Sequence, residues 1–387
     1  MATTPMKVTK AVEKLQNLEG RLNEFFIGRE EVVHTSLLAL MTRQHHLQVG
    51  PPGTAKSMLV RSIAGAFNGT IQYSEKLMHR MLEPDDLFGM LDLEEARKGN
   101  AWRNTKGSVV TADIFFADEL YRLGEINASP LLSVVNERRF PNGKGVDMCQ
   151  LVSMFAGTNE LYEGTTLDAF HSRILFKHQV DYVDLNRFEE FFNLMDNQCE
   201  TEDIGLQRTD LDTIYKYLSK VRVSKTIMRV LGKIRQNIIA KELPLADTMD
   251  DRKVVAILSA LRAQALLMGR NHVAIGDVVV LAHCLWSKPE QAKAVAEIVY
   301  EASAPWVPAI QNLQRSLEKE VGMVRVDASD ADLMTLASVI KGLQYEATEL
   351  GRRYEKDIDE AGAAMFSNLD TEIKEARKET LTLLGVQ

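Results

Sequence analysis

Apolar and polar positions change their rhythm twice along the chain. Between residues 30 and 180 short apolar, β-rich runs alternate with helical stretches, the pattern of an α/β domain built on a parallel sheet. Five runs predict strands: His46–Gly50, Thr70–Ser74, Asp113–Ala117, Leu151–Phe155 and Ile174–His178. From about residue 205 that signal stops. Ile227, Leu231, Ile234 and Ile238 then recur at spacings of four and three, as do Val254, Leu258 and Leu261, which predicts an all-helical block. A third block opens near Pro305 and Pro308, since proline can begin a helix but not sit inside one.

Past these prolines, Leu333, Leu336, Ile340, Leu343, Ala347, Leu350 and Tyr354 follow a strict 3-4 spacing, a heptad seam. Ser329 and Asp332 supply its N-cap. A second stripe runs Met365, Leu369, Ile373, Ala376, Thr380, Leu383, and an earlier one Ile310, Leu313, Leu317, Val321. Three such stripes predict a helical arm or three-helix bundle. The expected division is therefore residues 1–200 as an α/β core, 201–287 as an all-helical segment and 288–387 as the arm.

Composition narrows the function classes. Apolar residues make up 45% of the 387 and charged residues 26%, which is enough to bury a core and excludes an intrinsically disordered chain. No stretch free of Asp, Glu, Lys and Arg exceeds 13 residues, short of the roughly 20 a spanning helix needs. The first ten residues lack the build of a signal peptide, so a soluble, cytoplasmic protein without membrane insertion is expected. Cys149, Cys199 and Cys284 are too dispersed for a disulfide framework or zinc spacing. Lys and Arg total 46 against 54 Asp and Glu, a net charge of −8, which argues against a protein that coats nucleic acid.

The most informative string is Gly50-Pro51-Pro52-Gly53-Thr54-Ala55-Lys56-Ser57, just after a predicted strand and just before a helical run. A triphosphate needs several backbone N–H donors turned to one point, a helix N-terminus, and a lysine to offset charge. Lys56 would reach the β- and γ-phosphates and Ser57 would ligate Mg²⁺. Ala55 stands where the commonest form of this motif has glycine. Sixty-two residues after Lys56, the apolar run Ile114–Ala117 ends in Asp118-Glu119. Adjacent carboxylates at the end of a buried strand are costly unless a cation or a reaction uses them. Asp118 is assigned to the Mg²⁺ shell and Glu119 to orienting the attacking water. Asn159, at the C-terminal edge of the same sheet, would hold that water or sense the γ-phosphate.

Together these strings resemble the AAA+ ATPases and, within them, the MoxR family, closest to its RavA-like branch. The likeness runs from about Leu22 to Trp286. It rests on Gly50–Ser57, Pro84–Gly89, Phe116–Leu120, Leu131–Arg138 followed by Pro141–Gly143, Gly157–Glu160, Asp251-Arg252 and His283–Trp286. The alanine before Lys56 is usual in that family. The resemblance implies an AAA+ P-loop core with a five-stranded sheet in the order 5-1-4-3-2, a helical lid, and a homo-hexameric ring with ATP at each subunit boundary. It implies that Arg173 is an arginine finger, that Arg252 is the lid's sensor-2 arginine, and that Ile27-Gly28 lies near the adenine. It also implies a helix-2 insertion over 84–107 and a pre-sensor hairpin over 138–150. RavA-like members carry a β-rich insertion in their C-terminal helical region, whereas Val321–Ser329 is too short to hold one.

The function implied is a Mg²⁺-dependent ATPase that acts as a chaperone or remodeller of protein complexes with a partner bearing a von Willebrand A domain. The alternative is a nucleic-acid motor or loader, which the acidic charge disfavours. Three lesser features have simpler readings. His45-His46 are read as strand-end residues and not as a metal site, the heptad seams as intramolecular core, and Phe88-Gly89 as either a gripping loop or a buried aromatic anchor.

Overall fold

The computed structural model describes residues 4–159, 170–184, 187, 190–191, 199–323, 329–354 and 360–384. Glu160 and most of the Val321–Ser329 connection lie outside them. Two compact units are present: Met1–Ser224 with Glu242–Val273 and His283–Ala292, and Lys225–Lys241 with Ala274–Ala282 and Lys293–Gln387. The segment 201–287, expected as one all-helical body, contributes to both.

In the first unit, helices α1 (Met6–Phe25) and α2 (Glu30–Thr42) precede strand β1 (His46–Val49) and helix α3 (Lys56–Gly65). There follow β2 (Tyr73–Leu77), the short helices α4 (Pro84–Phe88) and α5 (Leu93–Arg97), β3 (Ile114–Asp118), α6 (Glu125–Glu137), the pair β4 (Arg139–Asn142) and β5 (Gly145–Met148), β6 (Ser153–Thr158) and β7 (Phe176–Gln179). Helix α7 (Arg208–Leu218) and, beyond α8 (Lys225–Ala240) of the second unit, helix α9 (Asp251–Leu267) complete it.

β2, β3, β6, β1 and β7 form one parallel sheet in that order, which is 2-3-4-1-5 among the five strands read from the sequence. Its central strands β3, β6 and β1 are buried on both faces, as parallel strands are. Leu47, Val49, Phe115, Ala117, Met154 and Ala156 share one cluster with Leu131, Val134 and Val135 of α6. The alternate residues His46, Phe155, Phe176 and His178 bring their rings together on the other side. Each large apolar side chain so enclosed contributes about 1.5–3 kcal/mol.

The strand expected over Thr70–Ser74 begins instead at Tyr73. The hydroxyl of Thr70 donates to the carbonyl oxygens of Phe67 and Leu206, and a carboxylate oxygen of Asp113 accepts from the Gln72 N–H, so 70–72 are held in a turn. The strand then runs on through Glu75 and Lys76, polar residues that an edge position tolerates. β4 and β5 pair antiparallel across Gly143, the hairpin expected within 138–150.

In the second unit α8 buries the expected stripe Ile227, Leu231, Ile234 and Ile238. Helix α10 (Pro289–Ser303), which belongs to this unit from Lys293 on, and helices α11 (Val307–Met323), α12 (Asp330–Tyr354) and α13 (Glu360–Leu383) follow. α11, α12 and α13 pack around Trp306, Ile310, Ile340 and Leu369. Gln344 pairs with Arg377 and Gly351 lies against Phe366, so α12 and α13 run antiparallel. Ser329 and Asp332 form the expected N-cap of α12: the Ser329 hydroxyl donates to Asp332 at 2.7 Å and accepts from its N–H at 3.3 Å. The stripes end earlier than the spacing predicts, since Val321 and Leu383 are exposed.

Candidate functional site

The loop Gly50–Ala55 joins the C-terminal end of β1 to the N-terminus of α3. Two positions show why the chain needs these residues. A Cβ on Gly50 would stand 1.9 Å from the carbonyl oxygen of Val180, which no side chain could tolerate. Ala55 caps α3 in the left-handed region at φ 62°, a conformation that costs a non-glycine residue about 1–2 kcal/mol. The Thr54 hydroxyl closes the loop on the Pro51 carbonyl at 3.0 Å.

Lys56 begins α3 and is buried, its ammonium donating to the carbonyls of Gly50 (2.7 Å) and Pro51 (2.9 Å) and to Oδ1 of Asn159 (3.4 Å). Burial lowers its pKa, Asp118 and Glu119 oppose that shift, and Arg29 adds to it. A cation is thus held at the N-terminus of a helix that no side chain caps, the arrangement that suits phosphate. Ser57 lies beside it on the first turn of α3.

Asp118 ends β3, and Gly157 of β6 pairs with it. A Cβ on Gly157 would stand 3.1 Å from Oδ1 of Asp118 and 3.6 Å from Cε of Lys56, so this glycine keeps the space between the acid and the lysine open. Glu119 adopts φ 53°, again left-handed, and its Oε2 is buried without a hydrogen-bond partner. Arg122 approaches that oxygen only to 3.6 Å. A carboxylate on a left-handed backbone, with one oxygen lacking a hydrogen-bond partner and within the field of a buried lysine, is the kind of group a reaction uses. The hard oxygens of Ser57 and Asp118 suit Mg²⁺.

Ile27 and Gly28 lie between α1 and α2, Ile27 buried and Gly28 at φ 67° against Val183. Two contributors escaped sequence reasoning. Arg29 donates to the carbonyls of Gly28 and Asp181, and the Tyr182 hydroxyl donates to Pro52 at 3.2 Å. Neither was singled out by a motif: the chain leaving β7 carries Tyr182 over the loop, and Arg29, at the start of α2, is bonded to that same chain at Asp181.

Arg173 and Arg252 are not brought to this loop. Both line a cavity of about 680 Å³ with Gln44 and His45 at the start of β1, Arg138 at the end of α6, and Tyr215. That is the N-terminal edge of the sheet, whereas Gly50–Ser57 follows its C-terminal edge. Elsewhere, Phe88 is the buried anchor: it stacks on Phe140 with ring centroids 5.0 Å apart, and Gly89 at φ 96° presses on the Asn104 carbonyl.

A model of the MoxR domain in MoxR-vWA-beta-propeller ternary systems matches residues 13–215, more than half of the chain. The chain belongs to the MoxR family of AAA+ ATPases. An AAA lid domain matches residues 226–299 of this MoxR protein. An uncharacterised protein of Methanocaldococcus jannaschii is 27% identical over 362 residues, covering 89% of this chain and 90% of that one. The chaperone MoxR1 of Mycobacterium tuberculosis is 25% identical over 69% of this chain and 73% of its own. In fold, the MoxR chain is similar to the crystal structure of a protein assigned as an ATPase from Cytophaga hutchinsonii. The TM-score is 0.60 at 18% identity, over 76% of this chain and 95% of that one. No helix among the described residues is long and apolar enough to cross a membrane.

Proposed function

We propose that this MoxR protein hydrolyses ATP in a homo-hexameric ring, in the cytoplasm, and uses the cycle to remodel protein complexes. The observation that carries the reading is the pairing of a buried Lys56 at a helix N-terminus with the orphaned Oε2 of Glu119. In this reading the loop Gly50–Ser57 holds the phosphates and Ile27-Gly28 faces the adenine. Ser57 and Asp118 hold Mg²⁺, which when bound offsets phosphate charge. Glu119 takes up and orients the attacking water through its free oxygen, with Asn159 beside Lys56 reading the γ-phosphate.

Because Arg173 and Arg252 share the opposite edge of the sheet, they would both serve a neighbouring subunit's nucleotide. The description of the matched domain and the chaperone among the relatives support a partner with a von Willebrand A domain. The motif set carries the RavA-like resemblance, and the missing β-rich insertion sets this chain apart from that branch.

The test is steady-state ATP turnover by the full chain at physiological salt, alone, with nucleic acid, and with a purified protein bearing a von Willebrand A domain. A change with the protein partner and none with DNA or RNA is expected. Stimulation by nucleic acid that fades with salt would favour a nucleic-acid motor.

A further inference from the structure

The first unit contains a second cluster of reactive side chains, made by the sheet face that carries His46 and His178, by helix α2, and by His283. The His46 and His178 rings stack with centroids 5.4 Å apart, and His178 stacks on His283 at 4.0 Å. Nε2 of His283 stands 3.3 Å from Oε2 of Glu31. One donor atom from each of Glu31, His178 and His283 lies within 4.8 Å of the others.

Bonds of about 2.0–2.1 Å from a tetrahedral Zn²⁺ place its ligand atoms about 3.3 Å apart. The His283–Glu31 pair already meets that spacing. His178 must close by no more than about 1.5 Å on the same basis, and the stacked His178 and His283 rings must turn out of their 20° alignment for both lone pairs to converge on one ion. Glu31, two-thirds exposed on the first turn of α2, can swing to meet it and gives an ion a way in from solvent.

The surroundings prepare the imidazoles as ligands. Thr35, one turn beyond Glu31, donates its hydroxyl proton to the Glu31 carbonyl at 2.8 Å. Its oxygen also contacts Nε2 of His46 at 3.0 Å and Nε2 of His178 at 2.8 Å. With the hydroxyl proton directed to the Glu31 carbonyl, the Thr35 oxygen can accept from Nε2 of both rings, the tautomer that would leave Nδ1 of each with a lone pair. Metal-ligating histidines characteristically donate their other ring N–H to an oxygen acceptor that orients them, a place the Thr35 oxygen can fill here. Burial also lowers the pKa of His178 and of His283. Facing them, His34 has both ring nitrogens bonded, to Glu19 and Gln264, and Glu19 offsets its charge.

We propose that Glu31, His178 and His283 bind one divalent transition-metal ion of the zinc class, with the remaining position open to solvent. Two imidazoles and one carboxylate select Zn²⁺, Co²⁺ or Ni²⁺ over Mg²⁺. The site is distinct from the oxygen ligands Ser57 and Asp118. The ion would fasten α2 to β7, the strand whose continuation carries Val180 and Tyr182 against the nucleotide loop.

The experiment is titration of the full chain with Co²⁺ in the absence of nucleotide, read by visible absorption, with Zn²⁺ and Mg²⁺ as competitors. One equivalent should bind with the intense bands of a low-coordinate ion, yield to stoichiometric Zn²⁺ and resist excess Mg²⁺. Glu31→Gln and His283→Gln should each weaken binding at least tenfold, while His79→Gln, at an exposed histidine elsewhere, should not. Glu31→Gln changes an exposed side chain and decides the matter even if His283→Gln does not fold. Absence of binding by the wild-type chain, wild-type affinity in Glu31→Gln, or loss on His79→Gln would overturn the proposal.

Discussion

Oδ1 of Asn159 accepts a hydrogen bond from Nζ of Lys56 at 3.4 Å, tying the end of β6 to the nucleotide loop that follows β1. Lys56 has two carbonyl partners besides, so its position does not depend on the amide. Asn159→Ala should therefore keep nucleotide affinity within a few-fold. Its turnover should fall about 10²-fold, as when one preorganised polar group is lost from a transition state. Nucleotide binding and kcat measured on the same preparation check this. An equal loss in both would assign Asn159 to binding alone.

Arg173 and Arg252 invite a test of the ring. Each lies at the edge of the sheet opposite its own chain's loop, so a subunit with Arg173→Ala keeps an intact site of its own but should cripple its neighbour's. Mixing Arg173→Ala subunits with Glu119→Gln subunits should restore turnover at some interfaces. A mixture no more active than either parent, with subunit exchange demonstrated, would contradict action across a boundary.

The loop itself separates two kinds of small residue. Ala55→Gly relieves the left-handed strain at φ 62°, a gain that greater freedom of the unfolded chain partly offsets, so stability should change by less than about 1 kcal/mol and ATP binding should persist. Gly50→Ala, which would drive a Cβ to 1.9 Å from Val180, should abolish binding or folding. Thermal melts with and without ATP distinguish the two.

Buried histidines set the acid limit. Burial pushes His45 and His46 down to about 3 and His171 to about 2, with Arg138, His283 and Lys177 respectively adding to the effect. Between pH 6.5 and about 3 the unfolded chain binds protons at these rings that the folded chain does not, so stability falls as pH drops. Each ring removes about 1.4 kcal/mol per pH unit within the window. His34, held above its usual value with Glu19 as partner, acts in the opposite sense, its contribution being lost as pH rises through its folded pKa. Denaturant unfolding at pH 7 and pH 5 should show the larger buried set winning, with lower stability at pH 5.

Much of this was legible in the sequence because the relevant signals are local. Leu47 and Val49 leading into Gly50–Ser57, and Phe115 to Ala117 leading into Asp118-Glu119, each place strand, turn and chemistry within a dozen residues. The seam of α12 was readable for the same reason. What escaped was set by long-range packing. Tyr182 reaches the loop, and Arg29 the chain that carries Tyr182, without any motif, and the start of β2 is fixed by Asp113, 41 residues from Gln72 in sequence. The stack of His46, His178 and His283 joins positions more than a hundred residues apart, which periodicity cannot register.

The central claim is that binding and hydrolysis of ATP rest on different side chains of one site, and nucleotide affinity and turnover measured side by side in two variants test it most directly. Lys56→Ala should lose both, because the cation that offsets phosphate charge is gone. Glu119→Gln should bind ATP as the wild type does and turn it over at least 10²-fold more slowly, since only the group that orients water has changed. Wild-type turnover by purified Glu119→Gln, or undiminished ATP affinity in Lys56→Ala, would contradict the account.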